Sequence, residues 1–346
     1  MQQLDYIVVG LGIGGLSFCE QLRRHHKKFV VIDAAMNPAT AVSGGVINPV
    51  VLKRFTPVWQ ADEFLSAAQP FYKHLSQLLD LKIIDQTPIL RVFNSVEEQN
   101  DWTIAGDRHQ LAPFISSEII SNKNSNLNAP FGLGRVNAGY RLQTSQMLRR
   151  YADFLLKTQQ LIAEELDHSQ LIEAGNGIRY KHFSARKIVF AEGFSALRNP
   201  LFPKHLIIPN KGEYITIQAP QLKLEDIVKG AMFVIPQGRD EYKVGATFNR
   251  DDISERNSEE ARKLIEIHLK KLLNCEFTVV DQMSGIRPTT KDRRPLLGTV
   301  TTPDIAFLNG LGARGLMMAP LLAEHLYKHL EEGAELPVEV NLKRFL

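Results

Sequence analysis

Three glycines and an aspartate supply the first chemistry legible in this chain. Gly10, Gly12 and Gly15 fit the pattern G-x-G-x-x-G within Gly10-Leu11-Gly12-Ile13-Gly14-Gly15. The pattern follows the apolar run at 6–9 and opens a helical segment reaching about Arg24, the context in which it binds a dinucleotide. Gly10 permits the tight turn and Gly12 lets backbone approach a pyrophosphate. Gly15 allows close helix–strand packing, Gly14 lies in the same turn, and the helix N-terminus faces the phosphates. Asp33 closes the next apolar run, 29–32, and offers a carboxylate to the two hydroxyls of an adenosine ribose while repelling a 2′-phosphate. A plain glycine turn beside an unrelated acid is the bland alternative, and strand, helix and acid together argue against it. The fingerprint does not separate FAD from NAD.

Other segments bear on that choice. Small residues crowd Ala39-Thr40-Ala41-Val42-Ser43-Gly44-Gly45-Val46-Ile47-Asn48-Pro49, where backbone can come close to a bulky ligand and Ser43 can add a hydroxyl hydrogen bond. This stretch resembles the D-amino-acid oxidase and glycine oxidase superfamily of flavoproteins, in which an Ala/Ser/Gly-rich segment passes beside the flavin. Val189-Phe190-Ala191-Glu192-Gly193 resembles that family's strand returning to the cofactor, which places Glu192 and Gly193 near the dinucleotide. Asn309-Gly310-Leu311-Gly312-Ala313-Arg314-Gly315-Leu316-Met317 resembles its C-terminal flavin loop and helix, with Gly312, Gly315, Leu316 and Met317 against the ring. Backbone N–H groups at such a helix start can stabilise negative charge on a reduced flavin. The resemblance therefore implies FAD.

The segment Gly285-Ile286-Arg287-Pro288 resembles the family's G-x-R-P, whose arginine grips the substrate carboxylate. A guanidinium suits that task because its planar donors meet both oxygens and keep their charge. The plainer reading pairs Arg287 with Asp281 or Asp292. Asp292, Arg293 and Arg294 are expected to shape the loop. Arg314, just before Gly315, is expected at the flavin's pyrimidine edge or the active-site mouth, with a surface arginine as the alternative. Where related oxidases present tyrosines, this chain has Met232-Phe233-Val234-Ile235-Pro236 and Phe248, so no hydroxyl is expected there and the substrate would be oriented differently. Cysteine is missing from 288–298, where sarcosine-oxidase relatives attach flavin, so non-covalent FAD is implied.

The elements that must position these residues form an α/β (α+β overall) chain: a Rossmann-type FAD-binding domain from 1–50, 140–206 and 284–346, interleaved with an antiparallel-sheet substrate domain from 51–139 and 207–283. Helices are expected at 61–79, 143–158, 258–273 and 316–331, with strands at 187–191, 213–217, 232–236, 242–248 and 306–309, and a polar loop at 121–128. The His25-His26-Lys27-Lys28 cluster reads as a solvated helix end rather than a metal site, and no metal is expected. Lys263, Lys270 and Lys271 read as a solvated helix face. With 346 residues, 44% hydrophobic and a net charge of +3, the composition excludes disorder and a global basic field of the kind nucleic-acid binders carry. Cys19 and Cys275 are read as two buried reduced thiols. Neither a signal peptide nor a membrane span is read, and a cytoplasmic location is the default. The sequence carries no sign of oligomeric state.

These features predict oxidation of a small carboxylate-bearing amine, an amino acid or N-substituted glycine, by hydride transfer to flavin N5. The Ser43-Gly44-Gly45 and Gly312-to-Leu316 segments also resemble the FAD domain of bacterial enzymes that trim carboxymethylaminomethyl-uridine, which makes tRNA the alternative substrate. A flavoprotein without catalysis is a third reading, which a carboxylate anchor at Arg287 opposes.

Overall fold

The structure is a computed structural model and describes residues 1–34, 38–173, 175, 177–300 and 302–345. The strand Gln2–Val9 is apolar on both faces because both are covered. Tyr6 and Val8 enter one core cluster, Ile7 and Val9 another, and none is more than 5% exposed. Such a strand belongs in the middle of a parallel sheet. It lies between Phe29–Ile32 and Phe183–Phe190, with Leu161–Ile162 beyond the first and Ile305–Asn309 beyond the second, all parallel. The helices are α1 (Ile13–Arg24), α2 (Ala39–Val42), α3 (Ala61–Leu78), α4 (Val96–Gly106), α5 (Thr144–Lys157), α6 (Glu259–Leu272) and α7 (Gly315–Glu332). α7 packs on α1 and α3. The 25–28 cluster is a largely exposed helix end, in which the His25 ring stacks on Tyr327 at 4.1 Å and Lys27 pairs with Glu331. Gly10, Asp33, Ala191 and Gly310 all follow strand ends at one edge of this sheet, the edge where open α/β folds bind ligands.

A second eight-stranded sheet runs Thr278–Thr289, Ile208–Gln218, Glu241–Gly245, Phe233–Gly238, Ile227–Lys229, Ile89–Val92, Leu133–Val136, Ile115–Ile120. It is antiparallel with one exception: Ile227–Lys229 pairs in parallel with Ile89–Val92. Those strands come from distant parts of the chain, so no hairpin dictates their direction. Thr278–Thr289 is a single strand that crosses the 283/284 division drawn from sequence, and apart from Val280, at a bulge, it pairs along Ile208–Gln218 throughout. One face of the sheet packs on α6 through Ile215, Ile217, Val244, Ile265 and Leu269. Ser258 caps α6 by accepting from Ala261 N, and Lys263, Lys270 and Lys271 point to solvent. Cys19 is buried, but Cys275, in the loop after α6, is only half-buried. Among the described residues no helix is long and apolar enough to cross a membrane.

Candidate active site

Between the ligand edge of the first sheet and the open face of the second lies a cavity of about 670 Å³. Every site residue named from sequence lines it, with the exception of Gly15. Gly15 instead serves packing, because a Cβ there would run into the Gly10 carbonyl oxygen. Gly10 is held at φ +93°, and a Cβ on it would come within 2.6 Å of the Ala191 oxygen. Gly12 differs from both. Its extended backbone would accept a side chain, and the nearest described atom to an added Cβ is Thr40 Oγ1 at 3.7 Å. What a Cβ at Gly12 would occupy is cavity.

The rest of that end fits a dinucleotide. α1 has no side-chain N-cap and no acid in its first turn, and Ile13 N donates to Thr40 Oγ1 (3.1 Å). One Asp33 oxygen accepts from Leu11 N at 2.8 Å, tying the glycine turn to the end of Phe29–Ile32. Glu192 accepts from Asn199 Nδ2 (2.7 Å), and burial pushes its carboxyl up to about 7. The Ser43 hydroxyl donates to Thr40 O (2.8 Å) and accepts from Gly45 N (3.3 Å), so it braces its own loop. The neighbouring glycines answer to protein neighbours too. A Cβ at Gly45 would meet Leu142 O, and one at Gly44 would meet Ile235.

At the other end stand Arg287 and Arg314. Asn210, Gly212 and Tyr214 of one strand lie opposite Arg287, Gly285 and Met283 of the next, and cross-strand partners share a face. The Arg287 side chain lies across Gly212, in the space a Cβ there would claim. It donates to Thr247 O at 3.4 Å, and among the described residues no carboxylate stands within ion-pair distance. Neither acid considered from sequence pairs with it: Asp292 binds Arg344 (2.9 Å), Thr290 and Arg294 N, shaping the loop. Arg314 is the N-cap of α7 and donates to Asn48 O at 2.7 Å. Burial holds its guanidinium down to about 10, again with no carboxylate partner among the described residues.

The family model for FAD dependent oxidoreductase, DAO, matches residues 5–328. The chain belongs to the DAO family of FAD-dependent oxidoreductases. The fold is that of glycine oxidase from Bacillus cereus (TM-score 0.78, 16% identity, 96% of each chain covered) and of iminodiacetate oxidase from Chelativorans sp. BNC1 (0.75, 18%, 96% of this chain and 97% of that). A curated relative, the tRNA 5-methylaminomethyl-2-thiouridine biosynthesis bifunctional protein MnmC of Marinobacter nauticus, is 22% identical over 351 aligned positions, covering 92% of this chain and 54% of that protein. The chain thus spans about half of that relative's length. As DAO-family members are FAD enzymes, FAD is the cofactor, and the open space at Gly12 and the N-terminus of α1 suit its pyrophosphate.

Within the DAO frame, sequence reasoning passed over Tyr214 and Lys229. A pocket hydroxyl was not expected from 232–236 or Phe248, but Tyr214 supplies a phenol in the cavity wall, its ring fitted over Gly245 and beside Gly44. Asn210 also lines the cavity, 2% exposed, with its Oδ1 lacking a partner among the described residues. Only the side chains' common face reveals these residues, and that face follows from strand register.

Proposed function

We propose that this enzyme oxidises a small carboxylate-bearing amine, an amino acid or N-substituted glycine, with Arg287 as the carboxylate anchor. The observation that carries this reading is a guanidinium laid across Gly212 into the cavity with no carboxylate partner among the described residues. Bound FAD supplies the acceptor for the hydride lost from the substrate carbon. The residues proposed to hold it are Gly10, Gly12, Gly14, Asp33, Ser43, Gly44, Gly45, Glu192, Gly193, Gly312, Gly315, Leu316 and Met317, with Gly15 keeping the turn closed. Two parallel hydrogen bonds from Arg287 fix the carboxylate, and Tyr214 and Phe233 bound the space left for the amine carbon, so alignment rather than a side-chain base drives the step. Arg314 and the N-terminus of α7 give their wall of the cavity a positive potential. The imine that leaves is hydrolysed by water.

A second reading places the same chemistry on a carboxymethylamino group carried by tRNA. Similarity to the Marinobacter relative supports it, as does the exposed Phe248 ring at the cavity rim with the Arg250 guanidinium 5.3 Å from its centroid, a surface on which a base can stack. Anaerobic bleaching of the FAD-loaded protein with glycine, sarcosine, D-amino acids, proline and wobble-modified tRNA tests both readings. Bleaching by a small amine is expected, and Arg287→Met should keep FAD while losing on the order of 100-fold in kcat/KM. Bleaching by tRNA alone moves the assignment to RNA. Wild-type kinetics in Arg287→Met removes that residue from the site.

A further inference from the structure

The cavity sorts its charges. Asp33, Glu164, Glu165 and Glu192 line the dinucleotide end with Arg198, which pairs with Glu165, whereas Lys53, Lys229, Arg287 and Arg314 line the remainder with one acid, Glu255. Two of the latter cations have no assigned role, and of them Lys53 is exposed while Lys229 is half-buried. Its Cα faces Phe233, Phe233 faces Gly245, and Gly245 faces Tyr214, so the four share one sheet face in a straight row. That row spans three strand spacings, about 14 Å. Arg287 lies over Gly212 at the Tyr214 end. Two cations therefore bracket an aromatic floor made by Tyr214 and Phe233.

The Lys229 ammonium donates to Ala231 O (2.6 Å) and Gly230 O (3.2 Å) and stands 5.0 Å from the Phe233 ring centroid. An ammonium carries three protons, so a donor remains. Among the described residues no carboxylate is within ion-pair distance of it. The charged neighbour facing it is Arg91, whose guanidinium is taken up by Glu98 at 3.1 Å and by the backbone oxygens of Lys229 and Gly230. Burial first, then the Arg91 charge, holds Lys229 down to about 8. A half-buried cation that faces a cavity with no described carboxylate in reach is costly in the empty site, and an anionic ligand offsets that cost.

We propose that the substrate is an extended amine with two anionic ends, an α-carboxylate held by Arg287 and a distal oxyanion, carboxylate or phosphate, held by Lys229. The assignment rests on the carboxylate-anchor reading of Arg287. A glycine-sized molecule reaches one pole and leaves the other unused. Lys229 is then the residue that decides substrate length and distal charge.

The experiment needs no turnover, so its outcome is separate from whether any amine is oxidised. FAD-loaded protein is titrated with unreactive α,ω-dicarboxylates from glutarate to sebacate and with monocarboxylates of matched length, following the perturbation of the flavin absorbance band. One dicarboxylate length should bind at least about tenfold tighter than its matched monocarboxylate. Lys229→Met should bring that ratio near one and Lys229→Arg should restore it, whereas Arg287→Met should weaken both ligands. The wild-type ratio should fall as pH rises through about 8, while that of Lys229→Arg holds. Matched ω-phosphonocarboxylates tell a distal phosphate from a distal carboxylate. Equal affinities at every length, or a ratio untouched by Lys229→Met, overturn the proposal. A clear dicarboxylate preference without bleaching by any N-substituted glycine bearing a distal carboxylate would leave two anion poles and remove amine oxidation.

Discussion

Arg287 owes its position to a residue without a side chain. Gly212 has no unusual backbone angle, so alanine is tolerated there by the chain, yet the new methyl would overlap the guanidinium. Gly212→Ala should therefore fold and load FAD but displace Arg287, and a displacement of about 1 Å costs on the order of 100-fold in such alignment. Stopped-flow reduction should place it with Arg287→Met, and unaltered rates would show that the guanidinium works from another position. Arg287 was legible through its motif. Gly212 was not, since its purpose exists only once two strands are paired. Glu192 carries a pH signature of its own. Its carboxyl sits at about 7 against an ordinary 4.5, so the fold binds the proton more tightly than the unfolded chain does. That contribution is full below pH 4.5 and is lost as pH rises through about 7, worth up to about 3 kcal/mol. Apo protein should melt lower at pH 8 than at pH 5. Glu192→Gln, which still accepts from Asn199, should flatten that difference, and an identical slope in the variant would place its origin elsewhere.

The glycines of the turn before α1 read alike in sequence and do unlike work. Gly15 holds α1 against the Gly10 carbonyl, so Gly15→Ala must push the helix off the sheet and should lower apo stability by several kcal/mol. Gly12 has open cavity where its Cβ would be. Gly12→Ala should leave the apo melting temperature close to wild type and weaken FAD at least about tenfold, as read by flavin fluorescence on binding. If both variants damage apo stability equally, Gly12 is a packing glycine and the pyrophosphate lies elsewhere. Several element boundaries were legible, because helical periodicity dictates α3, α5 and α7, whereas the apolar run 6–9 marked only the second half of Gln2–Val9. The cavity-facing side of Ile208–Gln218 was not. Lys211 and Glu213 on its other face are themselves buried, at 1% and 2% exposure, and satisfied by Asp252, Arg256 O and Ser258. Polar residues on both faces erase the alternation that would have pointed to Asn210 and Tyr214.

At the scale of the molecule, the cavity belongs to both sheets, and neither is built from a continuous length of chain. The second takes Ile89–Val92, Ile115–Ile120 and Leu133–Val136 from an early segment and five strands from residues 208–289, while the first draws Ile305–Asn309 from the far end of the chain. Sequence could indicate the interleaving from the order of its motifs, but the shared cavity depends on contacts between residues as distant as Asn48 and Arg314. One cofactor-sized cleft lined by both sheets would make an FAD bound there a fastener between them. Ligand at a thousand times its dissociation constant stabilises the native state by about 4 kcal/mol. Because the cavity is shared, that gain should reach both sheets. Adding FAD to apo protein should raise the melting temperature in proportion to the logarithm of its concentration, and near-ultraviolet circular dichroism and the flavin signal should report one coincident transition. Two separated transitions, with only the first sheet responding to FAD, would mean that Arg287 and Tyr214 stand on a body the cofactor does not hold. The substrate end would then have to be ordered by substrate itself.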